Sequence, residues 1–211
     1  MNLITNPAEI EKRSFEIISE KLAGRQFAAQ NENVIKRVIH TTADFDYADN
    51  MLFSDGVVMI AKEALKNGAR IVTDTNMVKA GINKKAAMQC GCDLHCFIDA
   101  PEVAEASRKS GFTRSREAVD RAADTLESPM IFVVGNAPTA LIRLYELITA
   151  RALSPSLIIA APVGFVNVVE AKEMIMELDV PHIVAKGQKG GSNVAAAICN
   201  ALLYETTGRA I

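Results

Sequence analysis

Only three histidines occur in the 211 residues, and His40 stands in "RVIHTTADFDYADN", where an apolar run gives way to Thr41 and Thr42 and then to Asp44, Asp46 and Asp49. Imidazole titrates near neutrality, so at the edge of a cleft it suits moving or sharing a proton. The blander reading is a histidine satisfied by neighbouring backbone. The aspartates have the chemistry of metal ligands, but such a run more often caps the following helix and complements its positive end. Positive charge comes from "SGFTRSREAVD". There Thr113 reads as an N-cap, which puts Arg114 and Arg116 in a first helical turn. Cations in that place oppose the macrodipole and invite an anionic partner, unless Glu117 or Asp120 pairs with them.

"AKGQKGGSNVAAAICN" carries the strongest local signal. Gly187, Gly190 and Gly191 run into Ser192, Asn193 and a helix of small residues, so backbone N–H groups and a helix N-terminus converge as an anion cradle. The spacing matches neither G-x-x-x-x-G-K-[ST] nor G-x-G-x-x-G, so carboxylates fit it as well as phosphates. Gly164, in "AAPVGFVNVVEAKE", permits close backbone approach. "TDTNMVKAGINKK" and "VVGNAPTALIRL" add Thr73, Asp74, Thr75, Asn76, Asn136 and Thr139 as hydrogen-bonding groups or caps. Ser14 shares a helical stripe with Ile10 and Ile17, where a hydroxyl usually bonds its own i−4 carbonyl and less often a ligand. "CGCDLHCF" holds three of the four cysteines beside His95, but lacks the paired C-x-x-C spacing of structural zinc sites. We read it as a helix end at Gly91 followed by a buried strand, with no metal.

The elements that must position these groups are legible as alternation. Six short β-rich runs, "RVIHTTA", "ARIVTD", "LHCFID", "MIFVVG", "SLIIAAPVG" and "HIVAKG", are near-continuous in apolar residues, as strands buried on both faces of a parallel sheet are. Amphipathic helical patterns separate them. Phe53, Val57, Ile60, Ala61 and Ala64 share one face, Leu141, Leu144, Tyr145 and Ile148 another, and Val194, Ile198 and Leu202 a third. The pattern predicts an α/β protein: a single domain over residues 1–211, doubly wound, with a mostly parallel sheet and helices on both faces. Ligands of such sheets sit outside the carboxyl ends of the strands. His40, placed by this reading at the end of the first strand, would then lie on the active rim.

Composition narrows the function. A formal net charge of −2 and no Trp give nucleic acid neither a basic field nor a stacking platform. No apolar run approaches the length of a membrane span, and the N-terminal residues have acids where a signal peptide is basic, so a cytoplasmic protein is expected. The residues alone reach a binder of a polyanionic small molecule with His40 as a candidate proton donor.

The loops taken together resemble the precorrin-8X methylmutase family of cobalamin biosynthesis. The segments that carry the resemblance are "PAEIEKRSFEII", "RVIHTTADFDYADN", "DTNMVKAGINK", "TRSREAV", "GNAPTALIRLYEL", "APVGFVNVVEAKE" and "KGGSNVAAAICNALL", in order along nearly the whole chain. The resemblance implies a flavodoxin-like sheet, a homodimer with active sites at the subunit interface, and no cofactor. It implies an isomerase that moves a methyl group from C-11 to C-12 of a corrin precursor by a 1,5-sigmatropic shift, giving hydrogenobyrinate or its cobalt form, cobyrinate. His40 falls on the family's catalytic histidine, Arg114 on its substrate-holding arginine and Ser14 on its N-terminal helix serine. Asn83 stands where some relatives carry a substrate-contacting Thr. A macrocycle rimmed with carboxylates suits Arg114, Arg116, Thr41, Gly164, Gly190, Gly191, Ser192 and Asn193 as its holders. Transient hand-over to neighbouring corrin-pathway enzymes fits such a ligand. The alternatives are a non-catalytic tetrapyrrole-binding carrier and, on the glycine run alone, a nucleotide-dependent enzyme. Whether the ring carries cobalt is open at this level.

Overall fold

The computed structural model describes residues 3–209. The chain runs α1 (Pro7–Lys21), α2 (Ala29–Thr42), α3 (Tyr47–Asn50), β1 (Met51–Phe53), α4 (Val57–Lys66), β2 (Arg70–Thr73), α5 (Asn76–Gly81), α6 (Lys84–Gln89) and β3 (Asp93–His95). It continues α7 (Pro101–Ser110), α8 (Arg114–Thr125), β4 (Met130–Val134), α9 (Pro138–Thr149), β5 (Leu157–Ala160), α10 (Val168–Met176), β6 (His182–Ala185) and α11 (Ser192–Thr207). The strands form one sheet in the order β1-β6-β5-β4-β2-β3, in which only the β1–β6 pair is antiparallel. Setting β1 aside, the order β3-β2-β4-β5-β6 is the 2-1-3-4-5 winding of flavodoxin-like folds. The expected doubly wound α/β architecture is therefore present.

Alternation along the central strands builds a core on each face. Ile131 and Val133 of β4, with Ile71, Leu157, Ile159 and Ile183, pack against α2, α4, α5, α6 and α11. Met130, Phe132 and Val134, with Val72, Ile158 and Val184, pack against α8, α9 and α10. Every residue of β4, β5 and β6 is buried, which is why these strands read as unbroken apolar runs. α11 is buried along most of its length, and its small residues let it lie close to the sheet. Pro138 opens α9 at its first turn, as its missing N–H allows.

Three sequence expectations are corrected. "RVIHTT" is not a strand but the last turns of α2. Val34, Ile35, Val38 and Ile39 recur at i, i+1, i+4 and i+5 and are all buried, a helical stripe that outweighs the strand preference of β-branched residues. Thr41 and Thr42 donate their hydroxyls back to the Arg37 and Val38 carbonyls, and Ala43 closes the helix at φ 54°. Phe53 belongs to β1, not to the helix after it, which begins at Val57. "LHCFID" supplies only Asp93–His95 as strand, at the sheet's edge and at most half-buried.

Candidate active site

The carboxyl ends of β2, β4, β5 and β6 carry four loops that touch one another. Between β2 and β4 the winding changes direction, which is where flavodoxin-like sheets open a crevice for a ligand. Here Asp74 occupies it. Its Oδ1 accepts the Gly135 N–H (3.0 Å), and its Oδ2 accepts those of Asn136 (2.7 Å) and Ala137 (2.8 Å). Burial lifts the Asp74 carboxyl above its ordinary range while these donors pull it back. α9 has no side-chain cap of its own, so the Asp74 carboxylate serves its positive end. An external anion finds those N–H groups taken.

The N-terminus of α11 lies beside this turn. A methyl group on Gly135 would stand 2.8 Å from the Ser192 Cα, so glycine is what permits the approach. Ser192 and Thr75 hydroxyls are 3.3 Å apart, joining the β2 loop to the start of α11. Thr75 also caps α5 by accepting the Val78 N–H. The glycine loop then lies on the β5 loop: Gly191 N–H donates to the Ala161 carbonyl (2.8 Å), and Gly164 N–H to the Gln188 carbonyl (3.1 Å). A Cβ on Gly190 would fall 2.3 Å from the Ala161 carbonyl oxygen, so no other residue fits there. Gly164, Gly190, Gly191 and Ser192 are thus brought together, with Asn193 folded over Gly191, as the sequence suggested.

Beside them the α7–α8 corner presents the arginines. Thr113 caps α8 by accepting the Arg116 N–H and donates its own hydroxyl to Thr139 (2.7 Å), tying the corner to the β4 loop. Arg116 does not face open solvent. Its guanidinium forms a two-pronged pair with Glu146 at 2.8 Å per contact and lies over the Phe112 ring. The pairing holds the Glu146 carboxyl below its usual range, Arg143 assisting. Neither Glu117 nor Asp120 takes it. Exposed Arg114 makes no ion pair among the described residues. Around this rim stand side chains that water does not favour: Phe165 (84% exposed), Val166 (75%), Met77 (73%) and Phe112 (53%).

His40 sits elsewhere, in the last turn of α2. Its ring stacks on Phe15 of α1 at 5.0 Å and 18°. Burial lowers its pKa, the neighbouring Arg37 charge lowers it further, and Glu11 opposes both. Arg37 is itself buried between the Phe15 and Tyr204 rings and paired with Glu11 at 2.8 Å. Burial and the Arg37 charge therefore favour the neutral imidazole over the charged one. Ser14 precedes Phe15 and donates to the Ile10 carbonyl (2.8 Å), the local bond expected of a serine on such a face. Asn83 caps α6 and donates to the Tyr204 hydroxyl (3.1 Å), away from the rim.

Two groups of residues thus emerge: His40 with Ser14 on the α1–α2 pair, and Arg114 with the glycine loop on the rim. One tie joins them. Lys189, just before Gly190, donates to Asp44 (2.6 Å) and Asp46 (2.7 Å), in the segment that follows His40. The aspartates were expected to cap the next helix. Asp44 does so at the start of α3, its Oδ1 accepting the N–H of the N-cap residue Asp46 (3.0 Å), while its Oδ2 and Asp46 hold Lys189 and Asp49 pairs with Arg25. No cluster of three metal-ligating side chains exists among the described residues, and all four cysteines are free thiols. Lys189, Lys172 and Gly135 escaped the sequence reading; only their neighbourhood to glycine-rich loops hinted at them. A groove of about 750 Å³ between α1 and α2 is lined by three glutamates (Glu11, Glu16, Glu20) against two lysines (Lys12, Lys36), a poor surface for a polyanion.

Fold and rim together define a flavodoxin-wound α/β protein that gathers an exposed arginine, a glycine-rich helix start and exposed apolar side chains at one end of its sheet. Residues 9–205 match the family model described as precorrin-8X methylmutase. The chain is 45% identical to the cobalt-precorrin-8 methylmutase of Salmonella typhimurium, over 97% of this chain and 98% of that protein. It is 38% identical to that of Leptospira interrogans, over 99% of each. The crystal structure of precorrin-8X methyl mutase from Thermus thermophilus superposes with a TM-score of 0.88 at 37% identity, covering 96% of this chain and 99% of that one. The chain belongs to the precorrin-8X methylmutase family, and so to the isomerases of cobalamin biosynthesis.

Proposed function

We propose that this chain moves the methyl group of its corrin substrate from C-11 to C-12, with His40 as the group that assists and the rim as the group that holds. The C-11–methyl bond breaks as the C-12–methyl bond forms, within one molecule. No methyl donor and no electron acceptor enter the balance. What remains for the protein is to bind, orient and polarise the ring. A neutral imidazole does the last by donating its N–H to the macrocycle where electron density builds during migration. Arg114, the Ser192 hydroxyl and loop N–H groups take the acetate and propionate carboxylates through charge-assisted bonds. Phe165, Val166 and Met77 cover the ring face. The observation that carries this reading is the meeting of exposed Arg114, the glycine loop at the start of α11 and exposed apolar side chains on one sheet edge.

The substrate we favour is cobalt-precorrin-8, because relatives named for it reach 45% and 38% identity whereas those named precorrin-8X methylmutase reach 37%, 34% and 32%. The enzyme works as a homodimer over its whole length. Support comes from the exposed Ile10 and Ile17 that flank Ser14 on α1, an apolar strip that a single chain leaves wet. Four free thiols suit the reducing cytoplasm, and product handed directly to the next corrin-modifying enzyme would escape dilution. Incubation with cobalt-precorrin-8 tests the core of this. Turnover beyond one equivalent, read as a spectral change and methyl migration, is the expected result. Binding without turnover would make the protein a carrier instead.

A further inference from the structure

Lys172, on α10, is 1% exposed, yet among the described residues it has no carboxylate partner. Its ammonium donates to two backbone carbonyls of the glycine loop, Gly187 at 2.7 Å and Lys189 at 2.9 Å. Such a charge is costly to bury, and burial draws its pKa down to about 8. What it does to the loop follows from peptide geometry. In a planar trans peptide the C=O and N–H point in opposite directions. Drawing the Gly187 carbonyl inward turns the Gln188 N–H outward, and drawing the Lys189 carbonyl inward does the same to the Gly190 N–H. Both N–H groups are without a hydrogen bond among the described residues, whereas Gly191 N–H is held by Ala161. Two free donors spaced two residues apart, backed by a buried cation, form a seat for a carboxylate.

We infer that Lys172 is a positioning residue whose two carbonyl bonds set the glycine loop in the form that receives one side-chain carboxylate of the substrate. The inference rests on the reading of that loop as a substrate holder, so its test must separate the two. The probes are cobyrinate and the same corrin with its carboxylates amidated, titrated by absorbance into wild type and Lys172→Met. Wild type is expected to prefer the carboxylate form. Lys172→Met should weaken cobyrinate binding on the order of tenfold, the loss of one charge-assisted contact, and leave the amidated corrin within about twofold. In turnover it should raise KM and leave kcat nearly alone, a split that general loss of fold would not give.

If wild type fails to distinguish the two corrins, the holder reading falls and the inference with it. If wild type distinguishes them and Lys172→Met does so equally well, the holder stands and the role of Lys172 is overturned. Should the variant not fold, wild type alone decides through hydrogen exchange. Saturating cobyrinate is expected to slow the Gln188 and Gly190 amides, and unchanged exchange at both would refute the seat.

Discussion

At the scale of single residues the proposed chemistry turns on a histidine whose neighbours favour its neutral form. Desolvation against Phe15 comes first and the buried Arg37 charge second, so removing that charge has a direction. Arg37→Met is expected to raise the His40 pKa, seen as a higher midpoint for the imidazole Cε1 proton in an NMR titration. An unmoved midpoint would leave burial as the whole cause. The same depression is a stability statement. The unfolded imidazole titrates near 6.5 and the folded one lower, so the unfolded chain binds more protons between the two values. Stability should therefore fall as pH drops below about 6.5, through the folded pKa. His40→Ala should abolish measurable turnover, a loss of roughly a hundredfold or more. Cobyrinate binding should survive it. Unimpaired turnover would refute the catalytic role. Residue types in sequence pointed to His40, Arg114 and the glycines, because their chemistry is carried by type and spacing. They could not show that Arg116 spends its charge on Glu146, because that pairing joins helices thirty residues apart.

At the scale of elements, the site is held by groups that bridge loops. Five of the six β-rich runs contain strands, and β4, β5 and β6 were the plainest because strands buried on both faces have no polar alternation to blur them, whereas "LHCFID" holds only a short edge strand. The sixth was misread because a window starting at Arg37 omits Val34 and Ile35, the residues that reveal the helical period. β1 went unread since three residues paired to β6 leave almost no local signal. Asp74 shows why bridging groups matter. Asp74→Asn sets an amide NH2 against backbone donors that now meet carboxylate oxygen. The expected cost is about 1–3 kcal/mol, read as a lower Tm in thermal unfolding, since buried donors are left without acceptors. A Tm equal to wild type would mean the turn stands without its carboxylate. Lys189→Ala is the contrasting case. Its aspartate pairs are largely exposed and screened by solvent, so the Tm should stay close to that of wild type. Yet kcat/KM should fall, because the tie between the His40 segment and the glycine loop is cut.

At the scale of the whole molecule, the two residue groups pose a question of assembly. Phe15 and Ile18 of α1 face inward, while Ile10 (44% exposed) and Ile17 (37%) point away from the fold. Ser14 lies on that same outward strip, next to the Phe15 ring on which His40 stacks. A second copy laid on the strip would bury apolar surface and close off the His40 side from water at once, which a methyl shift on a broad ring needs more than it needs any added reagent. A symmetric interface presents the strip twice, so one charge introduced in each chain acts twice. If the proposed dimer uses this strip, wild type is expected to sediment as a dimer and Ile17→Glu as a monomer at the same concentration. The change should cost little in the stability of one chain, because Ile17 contributes little to its core. Turnover should fall together with the dimer and recover as protein concentration is raised. A dimer that survives Ile17→Glu with full activity would move the interface off α1 and leave Ser14 a helix residue bonded to its own backbone.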